Sequence, residues 1–245
     1  MQIRLVTFDL LHTLITPRYP IHVQYARAFE PYLGPLNPES LKSSFGIALR
    51  QLQVEKPVHS DPTAWWSAVI QRTALGAGAD AKALDASLPA IVPRLMSSFS
   101  TKEGYKAFDD CLPTLHALHH ELRLKTAVVS NADSRMLSVL KDLIFPPYLN
   151  PILLSESEGI QKPAPEIFLR ALARVNAELE KPIVPSECLH VGDDLECDYI
   201  GAKNAGMNSL LLERPGGEER KADVGGESIT TVKNLYEVLE WVRAR

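Results

Sequence analysis

The run Ile3 to Phe8 is apolar, short, and leads straight onto a lone carboxylate, Asp9. A buried parallel strand has this form, because helices cover both of its faces and its side chains need no polar alternation. Such a strand belongs inside an open α/β sheet, where chemistry collects just beyond the carboxyl ends of the strands. Asp9 stands at such an end. Taken alone, an Asp there is more often a turn or helix cap. Three later stretches give it another meaning.

From residue 109 onward the chain alternates between the two periods. Leu112–Leu122 predicts a helix, with Pro113 allowed in its first turn. Lys125–Val129 predicts a strand running into Ser130-Asn131, followed by a helix over Ser134–Leu143 and a short strand over Ile152–Leu154. Pro165–Val175 predicts a helix, Cys188–Val191 a strand, Asp198–Ala205 a helix closed by Gly206, Met207–Leu212 a strand and Val232–Val242 a terminal helix. Repeated βα units imply a parallel sheet with helices on both faces. Between 15 and 108 the character differs. Pro17, Pro20, Pro31, Pro35 and Pro38 break up the start, helical periods follow over Pro62–Leu75 and Ala81–Phe99, and no convincing strand is found. The expected organisation is a Rossmann-like core of residues 1–14 and 109–245 with a helical domain, 15–108, inserted after the first strand. Trp65-Trp66 inside the insert reads as one packed and one partly covered ring.

The 245 residues are long enough for such a core and insert, and a net charge of −4 offers no basic surface to nucleic acid or an anionic membrane. Cys111, Cys188 and Cys197 lack zinc or redox spacing and are odd in number, which favours buried reduced thiols. The start of the chain enters a core strand with no signal-peptide pattern, and no apolar run approaches membrane-spanning length. An intracellular, by default cytoplasmic, setting is expected. Oligomeric state is not written in the pattern.

Parallel strands of one sheet place their carboxyl ends on one rim. That rim would collect Asp9, the Ser130 hydroxyl with the amide of Asn131, Lys162 beyond the third strand, and the acidic run Gly192-Asp193-Asp194-Leu195-Glu196-Cys197-Asp198. These are the parts for displacement at phosphorus. A carboxylate can attack and form an acyl phosphate. Lys162 would offset charge on the phosphoryl oxygens, which Ser130 and the Asn131 amide would hold. Asp9 and Asp193 would hold Mg²⁺, which takes a few carboxylates together with water and phosphate oxygens.

The segments Phe8-Asp9-x-x-x-Thr13-Leu14, Val129-Ser130-Asn131, Lys162-Pro163-x-Pro165-x-Ile167-Phe168 and Val191-Gly192-Asp193-Asp194-x-x-x-Asp198, closed by Gly201-Ala202-x-x-Ala205-Gly206-Met207, are each weak alone. In this order and spacing they are specific. The chain resembles the haloacid dehalogenase-like hydrolase superfamily over nearly its whole length. The resemblance implies a helical cap for 15–108, Asp9 as nucleophile, Ser130, Asn131 and Lys162 at the phosphoryl group, and a metal site of Asp9, the Leu11 carbonyl, Asp193 and Asp198. The cap's Trp65-Trp66, the Ser130-Asn131 pair and an altered first motif narrow the likeness to one subfamily.

One position departs. Phosphatase members carry a second Asp two residues after the nucleophile, which protonates the leaving oxygen and then activates water; here it is Leu11. General acid–base catalysis is worth about 10²–10⁴-fold, so metal binding can survive while turnover falls. His12 is adjacent, but neighbouring residues point in different directions. Two other outcomes stand beside a Mg²⁺-dependent phosphohydrolase acting on a small phosphorylated metabolite. One is a catalytically degenerate member that binds a phospholigand or partner. The other is a 2-haloacid dehalogenase, a branch that also lacks the second Asp but works without metal and lacks the full Gly-Asp-Asp cluster. His116, His119 and His120 read as a solvated helix face rather than a zinc site, Cys197 as a packed thiol, and Glu213 to Lys221 as a solvated loop. Glu156 and Glu158 are divided evenly between surface charges and a role steering Lys162.

Overall fold

A computed structural model describes residues 2–55, 62–215, 223–224 and 227–245. The chain divides into two compact units, one of Met1–Thr16, Ala107–Ser134 and Ile144–Arg245, the other of Pro17–Lys106 and Arg135–Leu143. The helix over 135–143, expected in the core domain, therefore groups with the inserted helices.

The first unit is built on β1 (Leu5–Phe8), whose four side chains are all buried. The chain leaves it through β2 (Ile15–Pro17) and returns through β3 (Tyr105–Ala107), which pair with each other. These two strands were not expected; three residues are too few for any alternation to register. In between lie α1 (Ile21–Leu33), α2 (Pro38–Glu55), α3 (Pro62–Gly76) and α4 (Ala81–Ser98), and α6 (Arg135–Asp142) follows later. Two of the prolines that seemed to interrupt this region open helices instead, while Pro31 lies inside α1. Pro20 caps α1 and Pro38 is the first residue of α2, where a missing N–H costs nothing. Inside this unit Ala48, Leu52, Trp65 and Val69 form a core, with Trp66 edge-on to Trp65 at 4.9 Å and the Arg135 guanidinium 4.4 Å from the Trp66 ring centroid. Trp65 is buried and Trp66 half-covered, as expected.

The remaining elements complete the sheet unit. They are α5 (Cys111–His116), β4 (Lys125–Ser130), β5 (Leu149–Leu154), α7 (Ser155–Glu158), α8 (Pro165–Asn176), β6 (Cys188–Gly192), α9 (Gly201–Asn204) and β7 (Asn208–Leu212). After them come the short pair β8 (Asp223–Val224) and β9 (Glu227–Ser228), then β10 (Thr231–Val232) and α10 (Leu235–Arg243). Six strands in the order β10-β7-β6-β1-β4-β5 form one parallel sheet. The order reverses at β1, which lies between β4 and β6, so the switch point falls at Asp9. One face packs Leu5, Ala127, Val129 and Leu153 against Ile167, Phe168 and Ala171 of α8 and Ala202 of α9. Burying a side chain such as Phe168 contributes about 1.5–3 kcal/mol.

Three helical expectations change in detail. Residues 117–121 and 195–200 are π-helical turns, Ala117–Glu121 and Leu195–Ile200, continuing α5 and preceding α9. A wider turn keeps nearly the same apolar spacing, so pattern cannot distinguish it. Val232 belongs to β10, and the last helix starts three residues later, at Leu235, because the Asn234 side chain caps it, accepting from Glu237 N at 3.0 Å. Most of the Glu213 to Lys221 loop lies outside the described residues. Its start is anchored: Arg214 makes a two-pronged bond to Asp110 at 2.9 and 3.0 Å.

Candidate active site

β1 delivers Asp9 to the rim because the ladder runs one residue past the strand, Asp9 N donating to Val191 O at 2.9 Å. The chain then turns sharply about the Leu10 carbonyl, which accepts from Leu14 N and Ile15 N, both at 2.9 Å. Leu11 is half-buried in this turn, and exposed His12 takes a left-handed conformation, φ 62°. Beside Asp9, β4 ends in the buried Ser130.

Lys162 arrives from the segment between α7 and α8. Its backbone is clamped by Asn131, whose Oδ1 accepts from Lys162 N at 2.7 Å and whose Nδ2 donates to Lys162 O at 2.9 Å. The Asn131 carboxamide is thereby engaged by the lysine backbone, and the expected phosphoryl contact belongs to its main-chain N–H. Gly201 packs so close to Pro163 that a Cβ there would lie 3.0 Å from the Pro163 Cα. The Lys162 ammonium, fully buried, donates to Asp9 Oδ1 and Asp198 Oδ1, each at 2.5 Å.

Asp198 comes from the Leu195–Ile200 turn, whose start is capped by Asp194 accepting from Glu196 N and Cys197 N. Asp194 is therefore a cap. Asp198 Oδ1 also faces His190 Nε2 at 3.1 Å, and its Oδ2 accepts from Asp194 N at 2.9 Å. Three of roughly four acceptor positions on this carboxylate are occupied.

Burial raises the Asp9 carboxyl above its ordinary pKa; Lys162 opposes this, Asp198 reinforces it, and hydrogen bonds from Lys162 and Ser130 oppose it again. Burial would raise Asp198 as well, but Lys162 and His190 hold it far below the usual carboxylate range. Burial works against the Lys162 charge, yet the two carboxylates keep its pKa above normal. One cation serves two anions, and the better hydrogen-bonded anion takes the larger share.

Carboxylate oxygens of Asp9, Asp193 and Asp198 lie within 4.8 Å of one another, the sole acid, His or Cys trio so placed among the described residues. An all-oxygen set of this kind suits Mg²⁺. Within this trio Asp198 also serves Lys162, His190 and Asp194 N.

The other candidates have local roles. Glu158 pairs with Arg170 and Arg174, at 3.1 and 2.8 Å, and Glu156 accepts from Ser134 N at 2.7 Å, so neither steers Lys162. His119 stacks on Tyr148 with ring centroids 4.0 Å apart, while His116 and His120 are exposed. Thr7 and His190 were missed, since each looks like an ordinary strand residue. Among the described residues no helix is long and apolar enough to cross a membrane.

A parallel sheet that reverses its order beside a buried carboxylate, with a lysine and further carboxylates along the same rim, defines a Rossmann-like α/β protein with a hydrolase-type centre. The haloacid dehalogenase-like hydrolase family matches residues 3–206, and the chain belongs to it. Within that family it is similar to haloacid dehalogenase-like hydrolase domain-containing protein 3 of Homo sapiens, 32% identical over 221 residues covering 88% of this chain and 84% of the relative. The protein of the same description from Danio rerio is 28% identical over 232 residues, covering 93% and 92%. These belong to the subfamily that the tryptophan pair and altered first motif resemble. Among solved structures, a 2-haloacid dehalogenase from Pseudomonas syringae pv. Tomato DC3000 superposes with a TM-score of 0.66 at 26% identity, covering 100% of this chain and 99% of that one.

Proposed function

We propose that the protein is a Mg²⁺-dependent phosphohydrolase acting on a small phosphorylated metabolite, with Asp9 as nucleophile. The observation that carries this reading is the buried Asp9 carboxylate, bonded to Lys162 at 2.5 Å and grouped with Asp193 and Asp198. An Asp9 oxygen attacks phosphorus, the bond to the leaving oxygen breaks, and an aspartyl phosphate forms. Lys162 has three N–H donors; two hold Asp9 and Asp198, and the third is available to a phosphoryl oxygen. The Ser130 hydroxyl and Asn131 N–H complete the cradle. Asp9 and Asp193, with the Leu11 carbonyl, would hold Mg²⁺, which when bound supplies charge neutralisation to the phosphoryl group. Leu11 cannot donate the proton that an alkoxide leaving group needs. Acyl and aryl phosphates, whose leaving groups need little help, are the favoured substrates, and the aspartyl phosphate clears slowly.

Hydrolysis of an aryl phosphate with Mg²⁺ tests this in wild type, Asp9→Asn and Leu11→Asp. Wild type gives a burst of leaving group and slow turnover, Asp9→Asn abolishes both, and Leu11→Asp raises turnover by about 10²–10⁴-fold. Equal activity in Asp9→Asn would overturn the reading. An unlabelled Asp9 after exposure to an acyl phosphate would favour a binding role without turnover. The 26% identity to a 2-haloacid dehalogenase supports a second reading, in which Leu11 is harmless because halide leaves unprotonated. Metal-independent halide release from 2-chloropropionate would establish it; the retained acidic trio argues for the phosphohydrolase.

A further inference from the structure

Behind the lysine runs a row of buried polar side chains that enters none of these steps. Thr7 of β1 and His190 of β6 are register partners, and both are fully buried. Thr7 Oγ1 lies 2.8 Å from His190 Nδ1, and His190 Nε2 lies 3.1 Å from Asp198 Oδ1. The same Asp198 oxygen accepts from Lys162, which reaches Asp9. The Phe168 ring stands edge-on to the imidazole at 4.9 Å.

Hydrogen-bond chemistry fixes where the protons sit. An ionised Asp198 only accepts, so His190 Nε2 must carry hydrogen. Burial holds His190 below the ordinary imidazole range, with Asp198 working the other way. In the neutral ring Nδ1 accepts, and the Thr7 hydroxyl donates to it at 2.8 Å in preference to Leu189 O, which lies at 3.4 Å. The opposite tautomer would set a lone pair against a carboxylate. Two apolar residues would fill the same layer without burying polar atoms, so the pair is not explained by packing.

We propose that His190 is a positioning residue, held by Thr7 in its Nε2–H tautomer, which orients Asp198 and through it aims the Lys162 ammonium at Asp9. Its effect on rate rests on the proposed phosphoryl transfer; the tautomer and the orientation do not. The chain divides the work. Asp9 touches substrate, Lys162 touches both, and Asp198, His190 and Thr7 act only through Lys162.

Nitrogen-15 NMR of the full chain labelled at histidine reads the tautomer directly, and single-turnover labelling of Asp9 by acetyl phosphate reads the consequence. In wild type, His190 shows hydrogen on Nε2 and none on Nδ1. His190→Leu slows labelling by about 10²-fold, the cost of a misplaced charge near the reacting atoms. His190→Gln, whose amide nitrogen can still donate to Asp198, recovers most of the rate. Thr7→Val releases the tautomer preference and slows labelling several-fold, and Thr7→Ser restores both; this pair serves if His190→Leu does not fold. Hydrogen on Nδ1 in wild type, or His190→Leu labelling as fast as wild type, would overturn the proposal. If wild type is not labelled at all, the phosphoryl-transfer reading fails, and the NMR tautomer alone decides the positioning role.

Discussion

At Gly192 the end of β6 passes so near Asp198 that a Cβ would lie 2.1 Å from its Cγ. A glycine there is a steric necessity of the site: it lets the carboxylate reach back under the strand end to Lys162 and His190. Gly192→Ala must displace either the strand or Asp198. It is expected to destabilise the protein by about 1–3 kcal/mol, the usual range for overpacking, and to lower activity more than that loss accounts for. Thermal unfolding and aryl phosphate hydrolysis, measured below the melting range, separate the two effects. Asn131 shows a second constraint at this scale. Its short side chain satisfies both the N–H and the C=O of Lys162, so its amide fixes a neighbour and not a ligand.

Elements set the distances. β1, β4 and β6 are held in register by the parallel ladders Phe8↔Val128 and Phe8↔Val191, which places Asp9 level with Gly192 and Ser130 one residue further along. Lys162 does not come from a strand end. It sits between α7 and α8, held by the two backbone bonds from the Asn131 side chain. Helix α6 ends differently. Ile144, two residues past it, has φ 58° and is largely exposed. A β-branched residue in the left-handed region costs roughly 1–2 kcal/mol, part of which glycine returns through its greater chain entropy. Ile144→Gly is expected to stabilise by up to about 1 kcal/mol, or about 2–4 °C in melting temperature. An unchanged or lower melting temperature would show that the turn is not strained.

For the molecule as a whole, the buried weak acids outside the site shape stability at high pH. Burial pushes Cys188 up to about 12 and raises Cys111 and Tyr25 further. In the unfolded chain the thiols ionise near 8.5 and the phenol near 10. Above those values the unfolded state has lost protons that the folded state keeps, so stability falls as pH rises. Each group contributes a slope of up to about 1.4 kcal/mol per pH unit. Urea unfolding at pH 8 and pH 10 should show this loss, and Cys111→Ala should flatten the slope across that interval. An identical slope in the variant would mean that the thiol ionises alike in both states. All three cysteines are free, two of them buried, in keeping with reduced thiols.

Much of the architecture was legible because it rests on local pattern. An apolar run ending in Asp9, the βα alternation after residue 109 and the helical period before it determine a parallel sheet with an inserted helical region, and the motif order places Asp9, Ser130, Lys162, Asp193 and Asp198 on one rim. Two- and three-residue strands and π-helical turns escaped, being too short or too close in period to leave a pattern. Tertiary structure alone decided what each rim residue does. Asp198 became the lysine's partner because Lys162, His190 and Asp194 take its lone pairs, and Asn131 became a backbone clamp. Thr7 and His190, 183 residues apart in the chain, gained a role only when neighbouring strands brought them to one register. Spacing along a chain reports which side chains can share a rim; hydrogen-bond capacity, once burial has removed water, decides which of them remain available to a substrate.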